Sequence, residues 1–463
     1  MAMLAHDRAD SAQSDGERPA TERTRKTHDR RSVLKIAGTA GLVGLAGCSD
    51  GGSGGSGGSS QSVDEITVLA EGVADNLVMQ DMTDQFTEEY GIDVTFETFG
   101  YNQTQEKAAT QVASGSSSYD VMTIDTYWLG DFAQGEQLQP IGDRVAESDL
   151  VDKDVYIEEV WDTVAHFEGT TYTLPFWQWS LGAGYREDLF QDSELQDAYQ
   201  SEFGREFKPA ETVEEYVEMS KWMTKHTDGE VNGTVLMGQR GTKANDQWLG
   251  LFQGLGGTFI DGQGNPVYQD HREEAIQATE YYIEMFEEST PADSKSWGFP
   301  SVNEHMGAGK GFSAINYNVF FRNMQNALGD SGRIRQYDTP GGSPAVGSWS
   351  LGIPSNLSNA RSEAAWQFIE WANSFETRKQ KILNGGSPVC TDTLNDDEVI
   401  ESNPELWGNL QELLSGGKSI SKYPGALEAN RANGIELSAA LTEQKSVEDA
   451  IDDGIDAVIE AME

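Results

Sequence analysis

From residue 63 onward, short apolar runs alternate with longer stretches in which apolar side chains recur every three or four positions. The run ITVLA at 66–70 reads as a strand. Over 77–90, Met79, Met82, Phe86 and Tyr90 fall on one face of a helix, and Gly91 stands where a helix stops. Residues 92–96 read as the next strand, 104–113 as a helix and 119–124 as a third strand. Strand–helix–strand–helix–strand predicts a parallel sheet with right-handed crossovers. Ligands of such sheets lie beyond the carboxyl ends of the strands, here 70–72, 98–103 and 125–128. A second α/β region follows, with helices expected over 212–225, 272–287 and 303–309 and strands over 233–237 and 311–316. Residues 363–373 are strongly helical and 397–463 are rich in helix formers. The four residues WSLG occur at 179–182 and again at 349–352, both in Gly/aromatic surroundings, LPFWQWSLGAGY and SPAVGSWSLGIP. Both copies fall where the chain is expected to cross between lobes.

The first 62 residues follow a different pattern. Arg30 and Arg31 precede an uncharged stretch, 36–47, which ends Leu45-Ala46-Gly47 before Cys48. This resembles a twin-arginine export signal with a lipobox, although Asp29 and Val33 depart from the commonest residues at those places. The stretch is too short to span a bilayer, which needs ~20 apolar residues. Gly51 to Ser60 reads GGSGGSGGSS, a flexible tether between a lipid-bearing Cys48 and the folded body. The expected division is 1–47 signal, 48–62 tether, 63–175 plus 349–395 first lobe, and 176–348 plus 396–463 second lobe. With Cys48 lipidated, Cys390 has no cysteine to pair with, so the core alone must hold the fold.

Composition narrows the function. There are 77 acidic and 32 basic side chains, net −45, which excludes nucleic-acid binding through clustered Lys and Arg. Eleven Trp and 10% aromatic residues are too much core-type surface for a disordered chain. So acidic and well-cored a protein suits a high-salt organism, where screening tolerates the self-repulsion. The loop GAGKG at 307–311 lacks the spacing of a phosphate-binding loop, HExxH is missing, and neither SLG copy has the first Gly of a nucleophile elbow. No enzyme, cofactor or metal is therefore expected.

Several stretches, in order, resemble the family-1, maltose-binding type of ABC-transporter extracellular solute-binding protein. They are ITVLAEG, YDVMTIDTYWLGDFAQGEQLQPI (119–141), GTTYTLPFWQWSLGAGYREDLF (169–190), KPAETVEEYVEMSKWMT (208–224), GGTFIDGQGNPVY (256–268), SWSLGIPSNLSNARSEAAWQFIEWANS (348–374) and GGSPVC (385–390). The resemblance implies an α/β, two-lobed, periplasmic-binding-protein-like fold of type II, its lobes joined by two or three crossings. It implies a monomer that closes on a sugar or oligosaccharide at the outer face of the membrane and delivers it to an ABC permease. The alternatives are a non-sugar solute, such as a polyamine or glycerol phosphate, or an exported glycoside-processing enzyme.

A sugar presents a C–H patch to aromatic faces and hydroxyls to amides and carboxylates. The residues expected to supply these are Trp128, Trp177, Trp179, Trp248, Trp297 and Trp349, with Tyr101 and Asn102 in the loop after the second strand, Asp125 at the end of the third, and Asn316 and Tyr317 after a later one. Trp366 and Trp371 are expected in the core.

Overall fold

The computed structural model describes residues 63–407 and 410–463. The export signal, the tether and Cys48 lie outside them.

The expected βαβαβ start is present. Strand β1 (Glu65–Glu71) leads into helix α1 (Ala74–Tyr90), then β2 (Asp93–Phe99), α2 (Tyr101–Ser114), β3 (Val121–Asp125) and α3 (Thr126–Gln134). Met79, Met82 and Phe86 of α1 are buried, and Tyr90 stacks on Phe86 at 4.6 Å. Gly91 caps α1 at φ 70°, a conformation that costs Gly little, and its N–H donates to the Thr87 carbonyl. β1 lies between β2 and β3, parallel to both. Helix α2 begins three residues before the expected 104, so Tyr101 and Asn102 stand on its first turn rather than in a loop.

The long strand β4 (Thr173–Arg186) joins the two halves of the fold. All 14 of its residues are buried, so the sequence shows no alternation of the kind a one-sided strand has. Helix α4 (Val213–His226), helix α5 (Thr242–Gly254), helix α6 (Arg272–Glu288), helix α7 (Phe299–Gly307), strand β5 (Ser313–Tyr317), helix α8 (Asn318–Leu328) and strand β6 (Ile334–Tyr337) follow. Strand β7 (Ala345–Gly352) then returns, and β8 (Lys418–Ser419) pairs with its start. The sheet order is β2-β1-β3-β7-β4-β5, with β6 also on β4. Thr173 to Ser180 of β4 pair with β7, whereas Leu181 to Arg186 pair with β5 and β6. One strand thus passes from the first lobe's sheet into the second's. The ladder between β4 and β7 shifts register between Pro175 and Trp177, where Pro175 has no N–H to donate. Past that point Gly184 lies against the Phe321 ring, which a Cβ would approach to 2.3 Å, so only Gly lets α8 pack on this strand.

Two aromatic interiors fill the lobes. Phe86 meets Phe368 and Trp371 of helix α9 (Asn359–Ala372), with Trp366 also buried. In the second lobe Trp248, Phe252, Phe259 and Tyr268 stack together. Helix α10 (Phe375–Leu383) packs on α1, while helices α11 (Ala426–Leu441) and α12 (Val447–Met462) pack on each other and on α5 and α6.

Two expectations need correction. Residues 233–237 run beside β5, with the Val235 N–H donating to Ser313, but they form no strand. The Gln247 side chain takes the Met237 N–H at 2.6 Å, and the Thr234 N–H goes to Ser289, so the ladder does not continue. Helix α7 starts at Phe299 rather than 303, with Pro300 in its first turn, where a missing N–H costs nothing.

Candidate functional site

The carboxyl ends of β1 and β3 face the point where β4 and β7 cross between lobes. Pairing places Asp125 of β3 opposite Trp349 of β7, and Trp349 opposite Trp177 of β4. Glu71 closes β1 beside them. Asp125, Trp349 and Trp177 therefore form a row across adjacent strands, with Glu71 at the neighbouring strand end, at the position that open α/β sheets use for ligands.

Around this row the aromatic rings form one cluster. Trp177 stacks on Trp349 with centroids 5.5 Å apart and planes within 10°. Trp349 meets Trp128 edge-on at 4.9 Å and Tyr101 at 5.8 Å. The Tyr101 hydroxyl donates to Asp125 Oδ2 at 2.7 Å and accepts from Trp128 Nε1 at 3.1 Å. From the second-lobe side, Tyr317 lies 4.5 Å from Trp179 and 5.0 Å from Phe299. Trp179 in turn rests on Gly347 of β7, where a Cβ would lie 2.2 Å from its ring. The WSLG echo thus occupies neighbouring antiparallel strands, but in register Trp349 faces Trp177, while Trp179 faces Gly347.

The charges are unusual. Burial pushes the Asp125 carboxyl up to about 7, against the hydrogen bond from Tyr101, the nearby N–H groups of Thr126 and Tyr127, and the charge of Lys243. Neither N–H makes a cap hydrogen bond. Glu71 is pushed up to about 7 as well, by burial first and by Asp125 second, with Lys243 opposing. Lys243 Nζ pairs with Asp246 Oδ2 at 3.2 Å and lies 4.3 Å from the centre of the Phe299 ring. The Tyr317 hydroxyl is held well above its ordinary pKa by burial and by Asp246. Tyr127 accepts a hydrogen bond from Asn430 Nδ2 of α11 at 2.8 Å.

Buried polar atoms without a hydrogen-bond partner in this region include Asp125 Oδ1, Trp177 Nε1 and Asn430 Oδ1. Such atoms cost about 1–3 kcal/mol each when left dry.

Of the expected site residues, Tyr101, Asp125, Trp128, Trp177, Trp179, Tyr317 and Trp349 are brought together here. Four are not. Trp248 is fully buried in the second lobe's core, where its Nε1 donates to Thr279 Oγ1 at 2.9 Å. Asn316 is also buried, its amide spent on Asn303 and on the Tyr317 N–H. Trp297 is half-buried against His305 at 5.3 Å, and Phe299, two residues on, meets the cluster instead. Asn102 is exposed on the first turn of α2. Sequence reading missed Glu71, Tyr127, Lys243, Asp246, Phe299 and Asn430. The first two lie at strand ends already marked for ligand, whereas the others reach the site only through the packing of α5, α7 and α11.

The profile described as bacterial extracellular solute-binding protein matches residues 72–378. A probable amino-acid ABC transporter periplasmic-binding protein of Sinorhizobium fredii is 23% identical over 399 residues, covering 84% of this chain and 87% of its own. A ribitol-bound solute-binding protein of Agrobacterium radiobacter superposes with a TM-score of 0.74 at 19% identity, over 86% of this chain and all of its own. The maltose-bound MalE3 of Thermotoga maritima gives 0.72 at 20% identity, over 85% and 98%. At these identities the superpositions speak for the fold, a two-lobed periplasmic-binding-protein-like one, and not for the solute.

Proposed function

The chain belongs to the bacterial extracellular solute-binding protein family, the solute-binding component of ABC transporters and not an enzyme; from that premise we propose that it binds a sugar or polyol between Trp349, Trp128 and Tyr101 of one lobe and Trp177, Trp179, Tyr317 and Phe299 toward the other. The observation that carries this reading is the coincidence of a stacked aromatic row with unpartnered Asp125 Oδ1 and Trp177 Nε1. Rings meet the C–H face of such a solute, and the orphan acceptor and donor meet its hydroxyls.

Binding closes the lobes only if the closed state gains contacts with solute that the open one lacks. Contributions from α3 and β7 on one side and α5, α7 and α11 on the other supply that difference. The lobes in this reading are 63–175 plus 349–395 and 176–348 plus 396–463, and a permease recognises their closed arrangement. Cys48 carries the lipid after twin-arginine export, and the Gly/Ser tether keeps the body near the permease at the outer face of the membrane of a salt-loving organism. The ribitol and maltose bound by structural relatives make polyols and small sugars the first solutes to try.

The test is isothermal titration of a sugar and polyol panel in molar salt, with Trp349→Ala beside the wild type. Loss of the central ring weakens binding by about 2 kcal/mol or more, roughly 30-fold. Unchanged affinity in a folded variant removes the aromatic row from the site.

A further inference from the structure

The polar atoms left open in the cleft are of two kinds, and together they describe a particular solute. At one end, Glu71 and Asp125 terminate adjacent parallel strands, close enough to repel each other. Asp125 is 3% exposed and its Oδ1 has no partner. Glu71 is half-buried at the end of β1, and the charges acting on it are Asp125 and Lys243. At the other end, Trp177 is 6% exposed and its indole N–H has no acceptor.

Lys243 does not resolve this. Its ammonium lies against Asp246 and the Phe299 ring, so its charge is largely matched before it reaches the strand ends. Arg322, on α8, lies over Trp407 and is drawn to Asp75, which also holds Lys381. Counting Glu71, Asp125 and Asp246 against Lys243, the cleft keeps an excess of negative charge beside electron-rich ring faces. Neutral hydroxyls can donate to these carboxylates but leave the charge uncancelled. An ammonium group supplies three donors and the missing positive charge, and ring faces of Trp and Tyr favour it as well. The Trp177 N–H needs the opposite partner, an oxygen acceptor.

We propose that the solute is a polyhydroxylated molecule bearing a primary ammonium group, an amino sugar or amino alditol, with the ammonium between Glu71 and Asp125 and a hydroxyl or ring oxygen on Trp177 Nε1. The inference rests on the cleft being the solute site and names the chemistry of what fills it. Burial is the first cause of the upward shift of both carboxyls, and the Asp125 charge adds to it at Glu71.

Matched pairs test it on the full chain: D-glucamine against D-sorbitol, and D-glucosamine against D-glucose, titrated at pH 7.5 in molar salt and followed by heat and tryptophan emission. The amine of at least one pair binds about tenfold tighter or more than its neutral partner, as one well-placed charge contact allows. Glu71→Gln, which keeps the shape of a half-buried side chain, cuts that preference to about threefold or less, and Asp125→Asn does the same. A neutral partner that binds as tightly as its amine overturns the ammonium assignment and leaves the cleft reading standing. A preference that survives both substitutions overturns it too, by placing the amine elsewhere. Silence from all four compounds in folded protein removes the cleft reading, and this inference with it.

Discussion

If Asp125 is kept for the solute rather than for the fold, then removing its charge should make the empty protein more stable. Its carboxyl rises from an ordinary 3.8 to about 7 because it is buried. At about 1.4 kcal/mol per pH unit, such a rise costs the folded state about 4 kcal/mol once both folded and unfolded forms are ionised. The sign follows from proton counts. Between pH 4 and 7 the folded state holds a proton that the unfolded state has lost, so stability falls as pH rises through that window and stays low above it. Asp125→Asn has nothing to ionise and escapes the cost. The hydrogen bond from Tyr101 already opposes the rise, so its charge-assisted part is contained in that figure. The gain is about 4 kcal/mol at pH 8, shrinking to about 1 kcal/mol near pH 4.5. Glu71 moves the same way, because its own carboxyl loses the Asp125 charge that helps to raise it. The assay is urea unfolding at fixed molar salt, pH 8 and pH 4.5, read by tryptophan emission, with the midpoint and slope of both proteins compared. A variant that is less stable than wild type by the same amount at both pH values refutes the reasoning, since the carboxylate would then be paid for by contacts within the fold.

Two further substitutions probe what holds the cleft in place. Lys381 is almost fully buried, pairs with Asp75 at 3.2 Å and donates to the Phe176 carbonyl next to Trp177. Lys381→Met takes the paired ammonium from Asp75, leaving it the Ser387 hydrogen bonds and the more distant Arg322, and should cost about 3–5 kcal/mol in denaturant unfolding; adding Asp75→Asn should recover part of it, and a single variant as stable as wild type would show that the pair contributes nothing. Gly347→Ala puts a methyl 2.2 Å from the Trp179 ring, so the indole must move. The expected result is a loss of about 1–3 kcal/mol together with a changed near-ultraviolet dichroism, and an unaltered spectrum would place Trp179 elsewhere.

Strand β3 and its neighbours were legible because one periodicity fits them. Residues 66–70, 92–96 and 119–124 are short apolar runs bounded by turn-forming residues, and helix α1 repeats every three or four positions until Gly91. Residues 233–237 look equally strand-like, but the partner of the Met237 N–H is Gln247, ten residues on and on another element, which no local pattern records. The site divides in the same way. Asp125, Trp128 and Tyr101 could be named because they follow strands whose ends were already marked. Trp248 shares their composition and surroundings in sequence, yet a helical position facing Thr279 and Phe252 makes it core.

The sequence alone determined the order of strands and helices in the first lobe and the exclusion of phosphate-loop, zinc and nucleophile motifs, because each depends on residues near one another along the chain. Which tryptophans share a wall, which carboxylates lose their water, and that Lys243 is matched by Asp246 were decided only by the tertiary structure. Burial and charge compensation are set by neighbours far away in sequence: Asp125 by Trp349, Tyr127 by Asn430, Trp179 by Gly347. No periodicity along the chain carries those distances.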